Sequence, residues 1–376
     1  MKLSLFRDDL GNLVLDSQAS LQLRLEDFGT EGFAAKFTDL IQSIYISAET
    51  LFTFLDCAEV KAGRVKCAAG KRTFEWTPEQ HISMMKETNI TTAILSISTP
   101  GTYLRPFDAP LTKEISRTTN VELSEICAAH PGHFRFFASL PLPSIPDSLA
   151  EIDYALDTLG AVGFCVLSNA NGIYMGDKAL DPIFDKLNER KAILLMHPTS
   201  CKIISHAHSY GTASDAKSEP NLTVVNPLQI PSGLLEYMFD ETRAVANLLV
   251  SGTVTRCPEI RFIMSHAGCL LPPVLERVAV ALQNFFGGGM DSTEMKRLLR
   301  ERFHFDLAGL PWPDMIHALL RIVGPDRLVY GSDYCWTPLP LAKTLIKKMD
   351  EGAGEMWTED TIKEVYAGNA KKLFGL

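Results

Sequence analysis

Arg327-Leu328-Val329-Tyr330-Gly331-Ser332-Asp333 is a short apolar run that ends in a turn and an acid. Two earlier runs are built alike. Ala192-Ile193-Leu194-Leu195-Met196 delivers His197, and Arg261-Phe262-Ile263-Met264-Ser265 delivers His266. Apolar runs of this length read as strands buried on both faces. In a barrel of parallel strands, residues at the C-terminal strand ends converge on one mouth. Strand ends carrying His, His and Asp in chain order therefore point to a site that can hold a divalent metal and move protons. Imidazole and carboxylate are the usual ligands of zinc and similar first-row ions.

Outward from these runs, strands and amphipathic helices alternate from residue 73 on. Strands are predicted over 91–97, 135–140, 162–167, 192–196, 260–265, 303–307 and 328–331. Helices are predicted over 78–87, 111–129, 147–159, 180–189, 233–255, 270–284, 315–323 and 339–348. Such alternation implies a parallel sheet. An eighth strand at Leu51-Phe52-Thr53-Phe54-Leu55-Asp56 would close the sheet. The expected fold is α/β, a (β/α)8 TIM-type barrel over 51–376 with an atypical N-terminal strand. Residues 1–50 form an atypical extension with one helix candidate, 33–43. Two stretches break the rhythm. Residues 201–232 are rich in Ser, Thr, Pro and Asn and read as a lid or rim at the mouth. Residues 283–292, with Phe285-Phe286-Gly287-Gly288-Gly289, read as a flexible break.

The bulk numbers narrow the function classes. The chain has 376 residues, 46% of them hydrophobic, which suits one large α/β barrel. A net charge of -9 argues against nucleic acid and anionic membrane surfaces as partners. Eight cysteines are scattered with no Cys-x-x-Cys pair, as expected of free thiols in a reducing compartment. The start turns acidic at Asp8-Asp9, too soon for a signal peptide, and no apolar run is long enough to span a bilayer. The expectation is a cytoplasmic protein, in which any anionic substrate would need a local positive centre such as a metal.

Each candidate also has a plainer use. His197 could be a satisfied buried histidine, Asp333 a turn cap, and His266 a turn residue beside Gly268. Their coincidence at three strand ends favours the site. His206-Ala207-His208 sits in the polar stretch and reads as solvated loop. Asp306 ends its strand either as an acid behind the site or as a cap. Arg243, near the start of a helix, has surface ion pairing as its default use. Binding of a substrate carboxylate is the sharper alternative.

The chain resembles one branch of the amidohydrolase superfamily, the amidohydrolase-2 branch, similar to aminocarboxymuconate-semialdehyde decarboxylase. The resemblance rests on Glu75-Trp76-Thr77-Pro78-Glu79, Leu95-Ser96-Ile97-Ser98-Thr99-Pro100-Gly101 and Phe136-Phe137-Ala138-Ser139-Leu140-Pro141. It continues through Met196-His197-Pro198-Thr199-Ser200, Thr242-Arg243-Ala244-Val245-Ala246-Asn247, Ser265-His266-Ala267-Gly268 and Gly331-Ser332-Asp333-Tyr334. It implies a single divalent metal, usually Zn2+. It assigns His197 and Asp333 to that metal and His266 to acid/base work. The pattern departs at strand one, which should carry Asp-x-His-x-His or Glu-x-His. Here Asp56-Cys57-Ala58-Glu59-Val60 has Ala58 and Val60 where histidines should stand. Residues 1–60 are then a gene-model artefact, or Asp56 or Glu59 substitutes, or the metal is lost.

The activity implied is non-oxidative decarboxylation of a small aromatic acid of the salicylate type, such as 6-methylsalicylate, with Asp333 or His266 protonating the ring. A metal-dependent hydrolase of an ester, lactone or amide uses the same groups, and a metal-free, non-catalytic barrel is the third reading. No Gly-x-Gly-x-x-Gly fingerprint supports a nicotinamide cofactor.

Overall fold

The structure, a computed structural model, describes residues 5–7, 13–15, 76–99, 101–103, 107–205, 221–226, 230–285 and 288–376. The predicted strand at 51–56, the helix at 33–43, the candidate ligands Asp56 and Glu59, and His206-Ala207-His208 lie outside the described residues. So does the expected boundary between residues 50 and 51. By its contacts the chain divides into two units, Met1–Pro141 and Leu142–Leu376.

The first unit contains an antiparallel pair, β1 (Leu5–Arg7) with β2 (Leu13–Leu15). Helix α1 (Pro78–Glu87) opens with a capping box, in which Thr77 and Gln80 satisfy each other's backbone N–H, and with Pro78 in its first turn. β3 (Ala93–Leu95) and β4 (Phe134–Ser139) run parallel, joined through α2 (Ala109–Ala129). Asn120 of α2 ties down the end of β4. Its side chain accepts from Ser139 N at 2.7 Å and donates to Ser139 O at 2.9 Å.

The second unit opens with α3 (Ile145–Asp157), β5 (Gly163–Leu167), the hairpin β6 (Asn169–Ala170) and β7 (Ile173–Tyr174), α4 (Asp181–Glu189) and β8 (Ile193–His197). A second hairpin, β9 (Cys201–Ser205) with β10 (Asn221–Val225), leads into α5 (Glu236–Val250) and α6 (Thr253–Arg256). Then come β11 (Arg261–Met264), α7 (Leu271–Phe285), α8 (Ser292–Arg302), β12 (Phe303–Asp306), α9 (Met315–Leu320), β13 (Leu328–Val329) and α10 (Leu339–Met356). The chain closes with α11 (Glu359–Lys363) and α12 (Asn369–Phe374). The five strands β5, β8, β11, β12 and β13 are neighbours in that order, all parallel. Their register decides the site. Met264 lies opposite both Met196 and Phe305, and Phe305 opposite Leu328, so the residues that follow leave the sheet at one level.

The sheet is held by apolar burial. Phe164, Leu194, Phe262 and Phe303 are fully buried, and the rings of Phe262 and Phe303 stack at 4.7 Å. Each such side chain contributes about 1.5–3 kcal/mol.

Three details differ from expectation. The helix predicted over 233–255 breaks after Val250, where Gly252 takes φ 80° and α6 begins. Glycine alone adopts that conformation without strain. The stretch predicted over 201–232 as a polar rim contains the β9–β10 ladder, with Cys201 opposite Val225. Helix α8 was hidden by its charge. It buries only Met295, Leu298 and Leu299, beneath an Arg- and Glu-rich face capped by Asp291.

Candidate active site

His197 is the last residue of β8. Its backbone carbonyl accepts from Ser168 N at 2.9 Å. Its Nδ1 lies 2.7 Å from Pro198 O. A carbonyl can only accept, so Nδ1 carries the proton and Nε2 the lone pair. Burial pushes the ring's pKa down to about 4, helped by the charge of His266 and opposed by the Pro198 carbonyl. His197 is therefore a neutral imidazole with a fixed tautomer. That is the form that binds a metal, and a hydrogen bond on the other ring nitrogen is its usual support.

His266 follows β11 after Ser265 and has φ 53°. Its backbone N–H donates to Asp306 Oδ1 at 2.9 Å, and the same oxygen accepts from Ala308 N at 3.0 Å. Asp306 thus caps two loops at once and holds the turn that presents His266. Burial lowers the pKa of the His266 ring, but the charge of Asp306 first, helped by Asp333 and the Ala308 backbone carbonyl, outweighs it and the net shift is upward. The surroundings shift the two histidines in opposite directions, His197 down and His266 up.

Asp333 has φ 50°. Its carboxyl is pushed up to about 6, by burial first, with His266 pulling it down and Asp306 adding to the rise. The approach of the chain here is tight. A Cβ on Gly331 would stand 3.1 Å from Asp306 Cγ and 3.2 Å from Ala308 Cβ. The Asp333, His266 and His197 side chains all remain partly exposed.

Two acids on α5 were not anticipated. Glu241 is fully buried and accepts from Ser265 N at 2.7 Å and from the Cys269 thiol at 3.3 Å. Burial raises its carboxyl to about 8, against the pull of His266 and Ser265. Asp240, also fully buried, accepts from Ser168 Oγ, from the Tyr174 hydroxyl and from Asn169 Nδ2 at 2.9 Å. Ser168 Oγ in turn accepts from Thr199 N at 3.1 Å, and Asn169 Nδ2 donates to Ser200 O at 3.0 Å. Asp240 therefore clamps the segment that carries His197. The available signal was Asp240-Glu241-Thr242, three polar residues on a helix whose other buried positions are mostly apolar. Arg243 is half exposed and pairs with Asp240 at 3.3 Å, within its own helix rather than across a free surface.

The donors fit a first-row divalent ion in kind. His197 offers a neutral nitrogen and Asp333 a carboxylate. Among the described residues no group of three or more His, Cys, Asp or Glu side chains comes close enough to hold a metal. Further ligands would have to come from elsewhere, and Asp56 and Glu59 are outside the described residues.

Comparison with known proteins places these features in a family. The profile of Amidohydro_2, described as amidohydrolase, matches residues 55–376. Decarboxylase macB of Penicillium terrestre is 31% identical over 309 residues, covering 80% of this chain and 86% of that protein. The 6-methylsalicylic acid decarboxylase acuB of Aspergillus aculeatus is 29% identical over 308 residues, covering 80% and 86%. Among solved structures, a dihydroxybenzoic acid decarboxylase of Polaromonas sp. with bound manganese and 2-nitroresorcinol superposes with a TM-score of 0.65 at 19% identity. It covers 88% of this chain and 95% of that one. This likeness carries the fold alone, and the fold is the (β/α)8 barrel anticipated from the strand rhythm.

Proposed function

The chain belongs to the Amidohydro_2 family of amidohydrolases, and from that membership we propose that it is a carboxy-lyase, a metal-dependent, non-oxidative decarboxylase of a small aromatic acid. The substrate class is the salicylate type, for which 6-methylsalicylate is the first compound to try. Relatives named as decarboxylases favour this over ester, lactone or amide hydrolysis. The observation that carries the mechanism is geometric: Pro198 O fixes the His197 tautomer, leaving the lone pair on Nε2, and Asp306 fixes the turn that presents His266.

His197 and Asp333 would hold the ion, zinc or manganese. When bound, it supplies positive charge beside the substrate carboxylate and its neighbouring oxygen. His266 donates its proton to the ring carbon that bears the carboxylate. The bond to the carboxylate carbon then breaks, its electron pair returns to the ring, and carbon dioxide leaves. His266, now neutral, takes a proton from solvent. Asp306 fixes the turn on which His266 sits, and Glu241 fixes the preceding amide. Arg243 offers a cation to a second anionic group on the substrate, although Asp240 already engages it. A general acid placed this way contributes on the order of 10²–10⁴-fold in rate.

The barrel domain is taken as residues 51–376 and the extension as 1–50. The enzyme is read as a cytoplasmic homodimer with no nucleic-acid or membrane partner. Its charge of -9 supports the last point, and among the described residues no helix is long and apolar enough to cross a membrane. The test is incubation with hydroxybenzoates, with added zinc or manganese and without oxygen, NAD or pyridoxal phosphate. The expected result is carbon dioxide and the decarboxylated phenol. Cleavage of esters with no carbon dioxide from any aryl acid would replace this reading with the hydrolase.

A further inference from the structure

Lys202 is the second residue of β9 and only 9% exposed. An ammonium group has three donors to satisfy. Among the described residues this one makes a single long hydrogen bond, to Asn171 Oδ1 at 3.4 Å, and no ion pair. Burying a cation with so little compensation is costly. Asp240 is the acid whose charge reaches it. Yet both oxygens of Asp240 are already engaged, by Ser168 and Asn169 on one and by Tyr174 and Arg243 on the other.

The position is as telling as the want of partners among the described residues. Ser168 and Asn169 leave β5 at the level where His197 leaves β8, since Leu167 lies opposite His197. Those two residues bond to Thr199 and Ser200. Lys202 follows at once on this clamped segment, with its side chain against Asn171 in the β6–β7 turn. That turn packs closely on β9. A Cβ on Gly172 would stand 2.9 Å from Ile204 Cγ1 and 3.2 Å from Lys202 O. Two tied hairpins thus hold the segment that carries Lys202 in place.

We infer that Lys202 is an anion-binding residue of the site, whose ammonium takes the carboxylate of an aromatic acid. The inference deepens the decarboxylase reading by naming a group that recognises the substrate. A cation with one long hydrogen bond among the described residues is well suited to the task, because an arriving carboxylate supplies further hydrogen bonds to it.

The experiment measures salicylate binding by calorimetry at pH 7 with the full chain and with Lys202→Met and Lys202→Arg. Lys202→Met should weaken salicylate by about 10- to 100-fold, the loss of one charge-assisted hydrogen bond. Binding of uncharged phenol should hold, and Lys202→Arg should restore much of the affinity. In turnover, KM should rise far more than kcat. A second measurement needs no variant. Amine labelling of Lys202 in the native protein, followed by mass spectrometry, should slow when salicylate is saturating. Native-like affinity in Lys202→Met, or labelling that salicylate leaves unchanged, overturns the inference while decarboxylation by the native chain leaves the functional reading intact. Conversely, Lys202-dependent binding with no carbon dioxide from any aryl acid removes the decarboxylase and leaves the anion site. A native chain that binds no aryl carboxylate overturns both.

Discussion

Replacing Glu241 with Gln removes a buried charge that the fold resists forming. The amide keeps an oxygen for Ser265 N, now 2.7 Å from Glu241 Oε1, so the local geometry survives. Burial lifts the Glu241 carboxyl from an ordinary 4.5 to about 8. A carboxyl raised in the folded state contributes stability that is complete below its unfolded pKa and is lost as pH rises through the folded one. Each pH unit in that window is worth up to about 1.4 kcal/mol per proton. His197 acts in the opposite sense, since its lowered pKa costs stability only as pH falls from 6.5 toward about 4. Asp333, raised to about 6, has largely titrated by neutrality. Between pH 6.5 and 8 Glu122, raised to about 7, and Lys202, lowered to about 8, also titrate, but both proteins share them and they cancel in the comparison. The stability of the native chain relative to Glu241→Gln should fall across that interval by about 2 kcal/mol. Urea denaturation followed by fluorescence at half-unit pH steps measures it. Parallel stability curves for the two proteins would refute the claim that Glu241 is held neutral by burial.

Other outcomes follow from the same geometry. His266→Asn should slow turnover by about 10²-fold or more and leave metal content, read by atomic emission, unchanged. Metal lost with that variant would make His266 a ligand. His197→Ala and Asp333→Ala should each lower bound metal at least about tenfold, because each removes a direct ligand. Full metal content in either would remove it from the ligand set. Phe262→Ala, at the stacked pair with Phe303, should cost about 3–5 kcal/mol in denaturant unfolding. A loss below about 1 kcal/mol would mean that the strand interior repacks freely.

The strands were legible because their residues are apolar and mostly buried. Gly163–Leu167 and Ile193–His197 are apolar almost throughout, and such runs have few other homes. Their C-terminal residues could then be read as candidate site residues from strand direction alone. Glu241 and Asp240 could not, because a helix carries no equivalent rule for which of its polar residues turns inward. Their burial depends on partners far away in sequence, such as Ser265 and Ser168. Lys202 was obscured for a related reason. The polar composition of 201–232 suggested a solvated rim, whereas pairing of β9 with β10 and packing against Gly172 bury its first two residues. The loops after β11 and β13 were legible only as positions. That His266, Ala267, Cys269 and Asp333 all take positive φ follows from capping and close approach, which leave no mark on hydrophobic pattern.

The hydrogen bonds of Asp240 span 66 to 72 residues back along the chain, to Tyr174, Asn169 and Ser168. During synthesis on the ribosome, Ser168 and Tyr174 emerge several seconds before their acceptor, at roughly 5–20 residues per second. Through that interval the segment bearing His197 and Lys202 has lost no polar partner to misfolding; its partner has yet to be made. A nascent chain stalled just short of α5 would carry β5 and β8 with the clamp still open. The acid that orders the mouth of the mature barrel also sets the moment at which the mouth can first form.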